Sequence, residues 1–254
     1  MKRIALLAAL PLLAAACGGT RVAEPTHGVE PAHRAEARPV RCPPGYRPVG
    51  STRLAYAAVV LGHARAYRAP AGAALADFGP VNVNDYPTVL GVRGKLVGRD
   101  CGVRWWKVQL PLRPNGVTGW VRPQDVAVER VRTRILVDVS ARRVTLYRAG
   151  RRILSTPAAV GAPATPTPTG SYYVNQLLVP ADTHGPFGPG ALGISAFSPV
   201  LTGWAQGGPV AIHGTDAPWS IGQAVSNGCI RVPNEVLTRM FRLAVAGTPV
   251  IIRP

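Results

Sequence analysis

The sequence predicts a mainly β protein, and three observations carry that reading. Gly (28) and Pro (26) are both plentiful among the 254 residues, which cuts the chain into short pieces. Runs rich in β-branched and aromatic residues are brief and bounded by turn signals. One stretch alone, Asn234 to Ala246, has persuasive helical periodicity. The expected architecture is a β-sandwich or barrel-like C-terminal domain with one short helix, preceded by a small β-barrel. Apolar residues make up 47% of the chain, enough for packed cores.

Met1-Lys2-Arg3 is a short positive segment, and Ile4 to Ala16 is apolar. The apolar run is shorter than the roughly 20 residues that span a bilayer, and it fits a secretory leader. Leu13-Ala14-Ala15-Ala16-Cys17, followed by Gly18-Gly19, resembles a bacterial lipobox. That resemblance implies lipidation of Cys17 and a mature chain tethered to the membrane, with residues 1–17 as the signal peptide. The alternative is an ordinary signal peptide cleaved near Ala16. Residues 18–50 are polar, Pro-rich and Ala-rich, without period 2 or 3.6, and read as a linker.

Residues 51–129 hold short strand-like pieces: Val89–Val92, Lys95–Val97, Arg104–Leu110 and Gly119–Val121. Arg113-Pro114-Asn115-Gly116 lies between the last two, with Asn-Gly as a hairpin signal. The order of Trp105-Trp106-Lys107-Val108, the Asn-Gly turn and Gly119-Trp120-Val121 resembles a bacterial SH3-type small barrel. Residues 133–254 form the second β-rich unit. Its expected strands are Ile135–Val139, Arg143–Tyr147, Gly170–Leu178, Gly190–Ser195, Val210–His213 and Thr248–Ile252. In the helix, Val236, Leu237, Met240 and Leu243 recur on one face, Asn234 caps the start and Gly247 ends it.

The formal charge is +17, nearly all from arginine, since Lys2, Lys95 and Lys107 are the only lysines. Such a surface suits polyanions. The arginines are scattered, with no basic helix or aromatic-interleaved patch, so nucleic-acid binding is not expected. In an exported chain Cys42 and Cys101 are the natural disulfide pair, leaving Cys229 free; two unpaired thiols are the alternative. No His/Cys spacing suits a metal, and no cofactor is expected.

The chemistry concentrates in Ala211-Ile212-His213-Gly214-Thr215-Asp216 and Ser226-Asn227-Gly228-Cys229-Ile230-Arg231. A thiol is a weak nucleophile until it loses its proton, and a neighbouring imidazole can accept that proton. His213 is therefore the candidate base and Cys229 the candidate nucleophile. The Gly214 carbonyl is placed to hold the imidazole in one tautomer, the job a carboxylate does in other triads. Gly228 allows a tight turn before Cys229, where backbone N–H groups can face a developing oxyanion. Arg231 is a candidate partner for a substrate carboxylate, with a structural ion pair or carbonyl anchor as the alternative; Ser226 is read as positioning either the loop or the substrate, and Asn227 as a hydrogen-bonding position at the substrate.

These motifs resemble the L,D-transpeptidase catalytic domain of the YkuD family. Its signature is a histidine, an intervening loop, then Ser/Thr-x-Gly-Cys and a nearby Arg or Asn. Gly161 through Gly170, with its Thr-Pro-Thr-Pro-Thr-Gly run, and Phe187-Gly188-Pro189-Gly190-Ala191-Leu192-Gly193 resemble two more of its motifs. The resemblance covers residues 133–254 almost entirely. One departure is Asn227, where the family often has His. The resemblance implies peptidoglycan stem peptides as partners and an extracytoplasmic location at the cell envelope; the chain is expected to be a monomer. It also implies acyl transfer through a Cys229 thioester, with release of D-alanine and formation of 3→3 cross-links. The segment Gly185 to Pro189 is a candidate lid. His184, Asp216 and Trp219 are secondary candidates near the site. Competing readings are a carboxypeptidase or exchange activity on the same stem, and a non-catalytic wall-binding lipoprotein. An NlpC/P60-type endopeptidase or a sortase fits less well, because of motif order and context.

Overall fold

A computed structural model describes residues 42–254. The leader, Cys17 and most of the linker expected over residues 18–50 lie outside the described residues. The described residues are mainly β, as expected, with strands forming two large sheets and with one α-helix near the end.

The first sheet contains β1 (Gly45–Pro48), β2 (Ala55–Val60), β3 (Ala64–Tyr67), β4 (Ala74–Phe78), β5 (Val89–Val97), β6 (Val103–Gln109), β7 (Thr118–Val121) and β8 (Val126–Val131). Its order is β4-β3-β7-β6-β5-β2-β8, with β1 against β5, and every pair in it is antiparallel. Two expectations are corrected here. The linker does not reach residue 50, because Gly45–Pro48 pairs with Gly94–Val97. Cys42 is bridged to Cys101 just before that strand, with Cα atoms 5.1 Å apart. The two short strands expected at Val89–Val92 and Lys95–Val97 are one continuous strand. It runs through Gly94 because Tyr46 packs where a Cβ would stand, within 2.5 Å of three ring or hydroxyl atoms. The core of this unit is built from small and β-branched side chains such as Ala58, Ala64, Ala66, Val108 and Val121, with Leu90 and Leu110.

The second sheet contains β9 (Thr133–Asp138), β10 (Arg143–Arg148), β11 (Arg151–Pro157), β13 (Gly170–Leu178), β14 (Ala191–Phe197), β15 (Pro209–His213), β17 (Ile230–Arg231) and β18 (Pro249–Arg253). The short strands β12 (Val160–Gly161) and β16 (Ala224–Ser226) pair with each other. The large sheet runs β11-β10-β9-β18-β13-β14-β15-β17. Its β9–β18 and β15–β17 contacts are parallel. Parallel neighbours need long crossovers, so this sheet joins segments far apart in sequence. Its core includes Ile135, Leu146, Leu192, Ile212, Ile230, Leu237 and Met240.

The helix α1 (Asn234–Leu243) buries Leu237 and Met240 against that sheet. It stops three residues earlier than its periodicity predicts. Ala244 is already extended, and Gly247 lies so close to β2 that a Cβ there would come within 2.2 Å of the Ala57 Cβ. The chain must leave the helix to make that approach. The two units meet here and along β5 and β13. Tyr173 packs on Gly91, and Gln109 Nε2 donates to the Ser171 carbonyl at 2.9 Å.

Candidate active site

The parallel pair β15–β17 brings the chemistry together. Its register sets Ile212 opposite Ile230 and His213 opposite Arg231. Cys229, one residue before β17, therefore falls beside Ala211, whose backbone hydrogen-bonds the sulfur. Cys229 is half-buried and unbridged. His213 is 4% exposed, and the Phe187 ring meets it in a T-shaped contact, centroids 4.9 Å apart.

The imidazole is fixed on one side. Its Nδ1 is 2.5 Å from the Gly214 carbonyl oxygen. A carbonyl only accepts, so Nδ1 carries the proton and Nε2 is the basic nitrogen. Burial holds His213 down to about 4, below its usual value; the Gly214 bond opposes this shift, Arg231 adds to it, and Asp216 opposes it. Burial also pushes the Cys229 thiol up, against the Ala211 hydrogen bond and the Arg231 charge, which favour thiolate. Both causes act in one direction: at neutral pH the resting pair is a neutral thiol and a neutral imidazole. A neutral imidazole with a free Nε2 can take a proton as the sulfur attacks and return it to a leaving amine.

The nucleophile loop is braced from within and from the Thr-Pro-Thr-Pro-Thr-Gly turn. Ser226 is buried; its hydroxyl donates to the Cys229 carbonyl at 2.6 Å and accepts the Gly228 N–H at 3.1 Å. Of the two readings of this hydroxyl, loop or substrate, its bonds in this structure are within the loop. The Gly228 N–H, expected near an oxyanion, is occupied as well, whereas the Cys229 N–H donates to no group among the described residues. Gly228 sits at φ +105°, a conformation that glycine adopts without strain. Thr165 Oγ1 donates to the Ser226 carbonyl at 2.9 Å, and Thr167 Oγ1 donates to the Gly228 carbonyl at 3.0 Å. Thr167 Oγ1 also accepts the Gly161 N–H at 2.8 Å. A Cβ on Gly161 would come within 2.3 Å of the Thr165 carbonyl.

Sequence reasoning missed the role of Asn234. Expected as a helix cap, it makes no capping bond. Its Oδ1 accepts the Thr215 N–H at 2.7 Å and its Nδ2 donates to the Thr215 carbonyl at 3.0 Å. The helix start therefore clamps the residue just beyond His213-Gly214. The loop is tight around it, because a Cβ on Gly214 or Gly188 would come within 2.4 Å of Asn234 Oδ1. The signal was present as an Asn followed by helical periodicity, which also fits a cap.

Other expected residues fall differently. Cys229 lines a cavity of about 570 Å³ with Phe187, Ile194, Trp204 and Ala211. Neither Arg231 nor Trp219 lines it. Arg231 is half-buried, and its Nε is buried without a partner among the described residues. Asn227 is exposed beside the nucleophile. His184 and Asp216 line a separate cavity behind the His213 loop, and Trp219 is 67% exposed.

Comparison with known proteins shows what this region is similar to. Residues 132–252 match the family model described as the L,D-transpeptidase catalytic domain. Among individual relatives, the Bacillus subtilis protein YkuD, named as an L,D-transpeptidase, is 37% identical over 119 residues, covering 46% of this chain and 64% of that protein. Its Bacillus licheniformis counterpart is 37% identical over 122 residues, covering 48% and 66%. The chain thus spans just under two thirds of the length of these relatives. A crystal structure of an Enterococcus faecium L,D-transpeptidase variant aligns with 26% identity and a TM-score of 0.36, covering 48% of this chain and 49% of that one.

Proposed function

We propose that this chain is an exported peptidoglycan L,D-transpeptidase, tethered by a lipid on Cys17, with Cys229 as nucleophile and His213 as base. The observation that carries it is the Nδ1 contact of His213 with the Gly214 carbonyl, which leaves Nε2 basic one strand away from a free thiol. In the proposed cycle, the Cys229 sulfur attacks the carbonyl of the third stem residue, a diamino acid, while His213 Nε2 takes the thiol proton. The C–N bond to the terminal D-alanine breaks, and its amine leaves with that proton. A thioester remains. The side-chain amine of a second stem attacks it, gives a proton back through His213 to the sulfur, and forms a 3→3 cross-link. The thioester conserves the energy of the broken amide, so no ATP is needed outside the cell.

The Cys229 N–H is the oxyanion donor in this reading, since that of Gly228 is occupied. Arg231 supplies positive charge beside the pair and meets a stem carboxylate. Asn227 is a hydrogen-bonding contact at the rim. Phe187, on the Gly185 to Pro189 segment, shields the imidazole and keeps water from the thioester. Residues 51–129 are read as an SH3-like small barrel.

Mass spectrometry of the mature protein incubated with disaccharide-tetrapeptide tests the proposal. The expected result is loss of D-alanine with a dimer product. The product is absent for Cys229→Ala, and the reaction is slowed about 10²- to 10⁴-fold for His213→Ala. Loss of D-alanine without dimer points to a carboxypeptidase, and cleavage inside the stem to an endopeptidase. Product formation by Cys229→Ala overturns the site.

A further inference from the structure

The proposed chemistry draws on Arg231 alone among the arginines, which leaves most of the formal charge of +17 without a role. Arginines that are scattered in sequence are gathered by the β10–β11 hairpin. Its turn is two residues, Ala149 and Gly150, both at positive φ, as tight hairpin turns require. The turn sets Arg148 directly opposite Arg151 and Tyr147 opposite Arg152, and β9 sets Arg134 opposite Tyr147. Arg132, just before β9, lies at the same end, because its carbonyl accepts the Ala149 N–H at 2.7 Å. Arg53 reaches in from the first unit, its Cγ 2.9 Å from where a Gly150 Cβ would stand. Six arginines thus surround one turn.

None of the six makes an ion pair among the described residues. Strands β9 to β11 carry a single acid, Asp138, and Arg253 engages it at 2.7 Å. Like charges set directly opposite one another across a ladder are destabilising, so an anion between Arg148 and Arg151 relieves them. Arg134 adds a buried Nε without a partner, its guanidinium 4.7 Å from the centroid of the Tyr147 ring. The register slips between Leu146 and Tyr147, and the extra residue on β11 is Ile153, an apolar side chain 37% exposed among these arginines.

This combination selects the partner. An exposed hairpin tip that carries arginines, an exposed isoleucine and a tyrosine suits a plane of phosphate headgroups. The guanidiniums meet the phosphates, while Ile153 and Tyr147 enter the interface. A soluble polyanion offers nothing to Ile153. The placement fits as well. Strand β11 runs from Arg151 to Pro157, about 20 Å at roughly 3.3 Å per residue, before Ala159 pairs with Arg231 beside Cys229. The turn is the end of the hairpin remote from the sulfur, so docking there leaves the cleft open. Residues 18–41 can extend to at most about 80 Å. A lipid on Cys17 therefore keeps the turn within reach of the membrane and makes this second contact intramolecular.

We propose that the β10–β11 turn is a docking surface for a membrane rich in anionic phospholipid, a second contact beside the lipid tether. The inference takes the tether from the proposed function, and an unlipidated chain tests the turn separately from it. The processed chain, residues 18–254 without lipid, should co-sediment with vesicles of phosphatidylcholine and phosphatidylglycerol and not with phosphatidylcholine alone. Added salt should release it. Each basic residue near an anionic surface strengthens binding about fivefold, so Arg148→Gln/Arg151→Gln/Arg152→Gln should weaken binding about a hundredfold. The same loss of charge elsewhere, Arg99→Gln/Arg239→Gln/Arg242→Gln, should weaken it less than about tenfold, since the turn is intact. Ile153→Ser should weaken binding to the vesicles several-fold and leave binding to a soluble polyphosphate unchanged. All three variants should keep the melting temperature and the rate of D-alanine release of the unmodified chain. Equal losses in the two triple variants, or vesicle binding indifferent to Ile153→Ser, overturn the membrane surface and leave a general affinity for polyanions. Absence of binding to the anionic vesicles overturns it outright, whether or not the chain carries lipid at Cys17 or reacts with tetrapeptide.

Discussion

The two sheets are built on opposite principles. Every pair in the first is antiparallel, and several are simple hairpins such as β6–β7 across Asn115-Gly116. The second contains parallel pairs, and in one of them, β15–β17, the proposed base His213 ends one strand and the proposed nucleophile Cys229 immediately precedes the other. Local pairing builds a scaffold cheaply in loop entropy. Parallel pairing sets side by side two segments that turn chemistry cannot join, here a His loop and a Cys loop. The difference teaches where the proposed chemistry concentrates: the first unit is a locally paired scaffold, and the second carries the proposed nucleophile and base.

The comparison can be broken or sharpened by experiment. The largest stability effect is expected at the staple of the first unit. The Cys42–Cys101 bridge closes a separation of 59 residues, which by loop entropy stabilises the fold by about 4 kcal/mol. A Cys42→Ser/Cys101→Ser double variant should melt several degrees lower in calorimetry yet keep Cys229 reactive in the cold. An unchanged melting temperature contradicts the scaffold role. A smaller stability effect with a larger functional one is expected at Asn234. Asn234→Ala removes two bonds to the Thr215 backbone, at about 1–3 kcal/mol for buried groups left unpaired. Its kcat should fall about ten- to a hundredfold, and the pH profile should shift as the His213 loop relaxes. A variant with normal kcat and a normal profile removes Asn234 from the account.

Much of this was legible in the sequence, for physical reasons that differ by region. The Asn-Gly turn, the β10 strand and the apolar stripe of α1 are local signals, and each corresponds to an observed element. The pairing of His213 with the Cys229 loop was legible only through motif resemblance, because no local pattern encodes a parallel register. Asn234 reads as a cap in sequence because a cap and a tertiary clamp use the same side chain. The early end of α1 depends on Gly247 meeting Ala57, a contact between residues that no helical period connects.

The claim on which the chemistry rests is that burial keeps both Cys229 and His213 uncharged at rest. The pH dependence of Cys229 alkylation by iodoacetamide tests it most directly. With the thiol pushed up and the imidazole held down to about 4, thiolate forms only as pH rises, so the rate should climb through neutral into alkaline pH with no earlier plateau. A rate already level between about pH 5 and 7, the mark of a thiolate–imidazolium pair, would contradict the account.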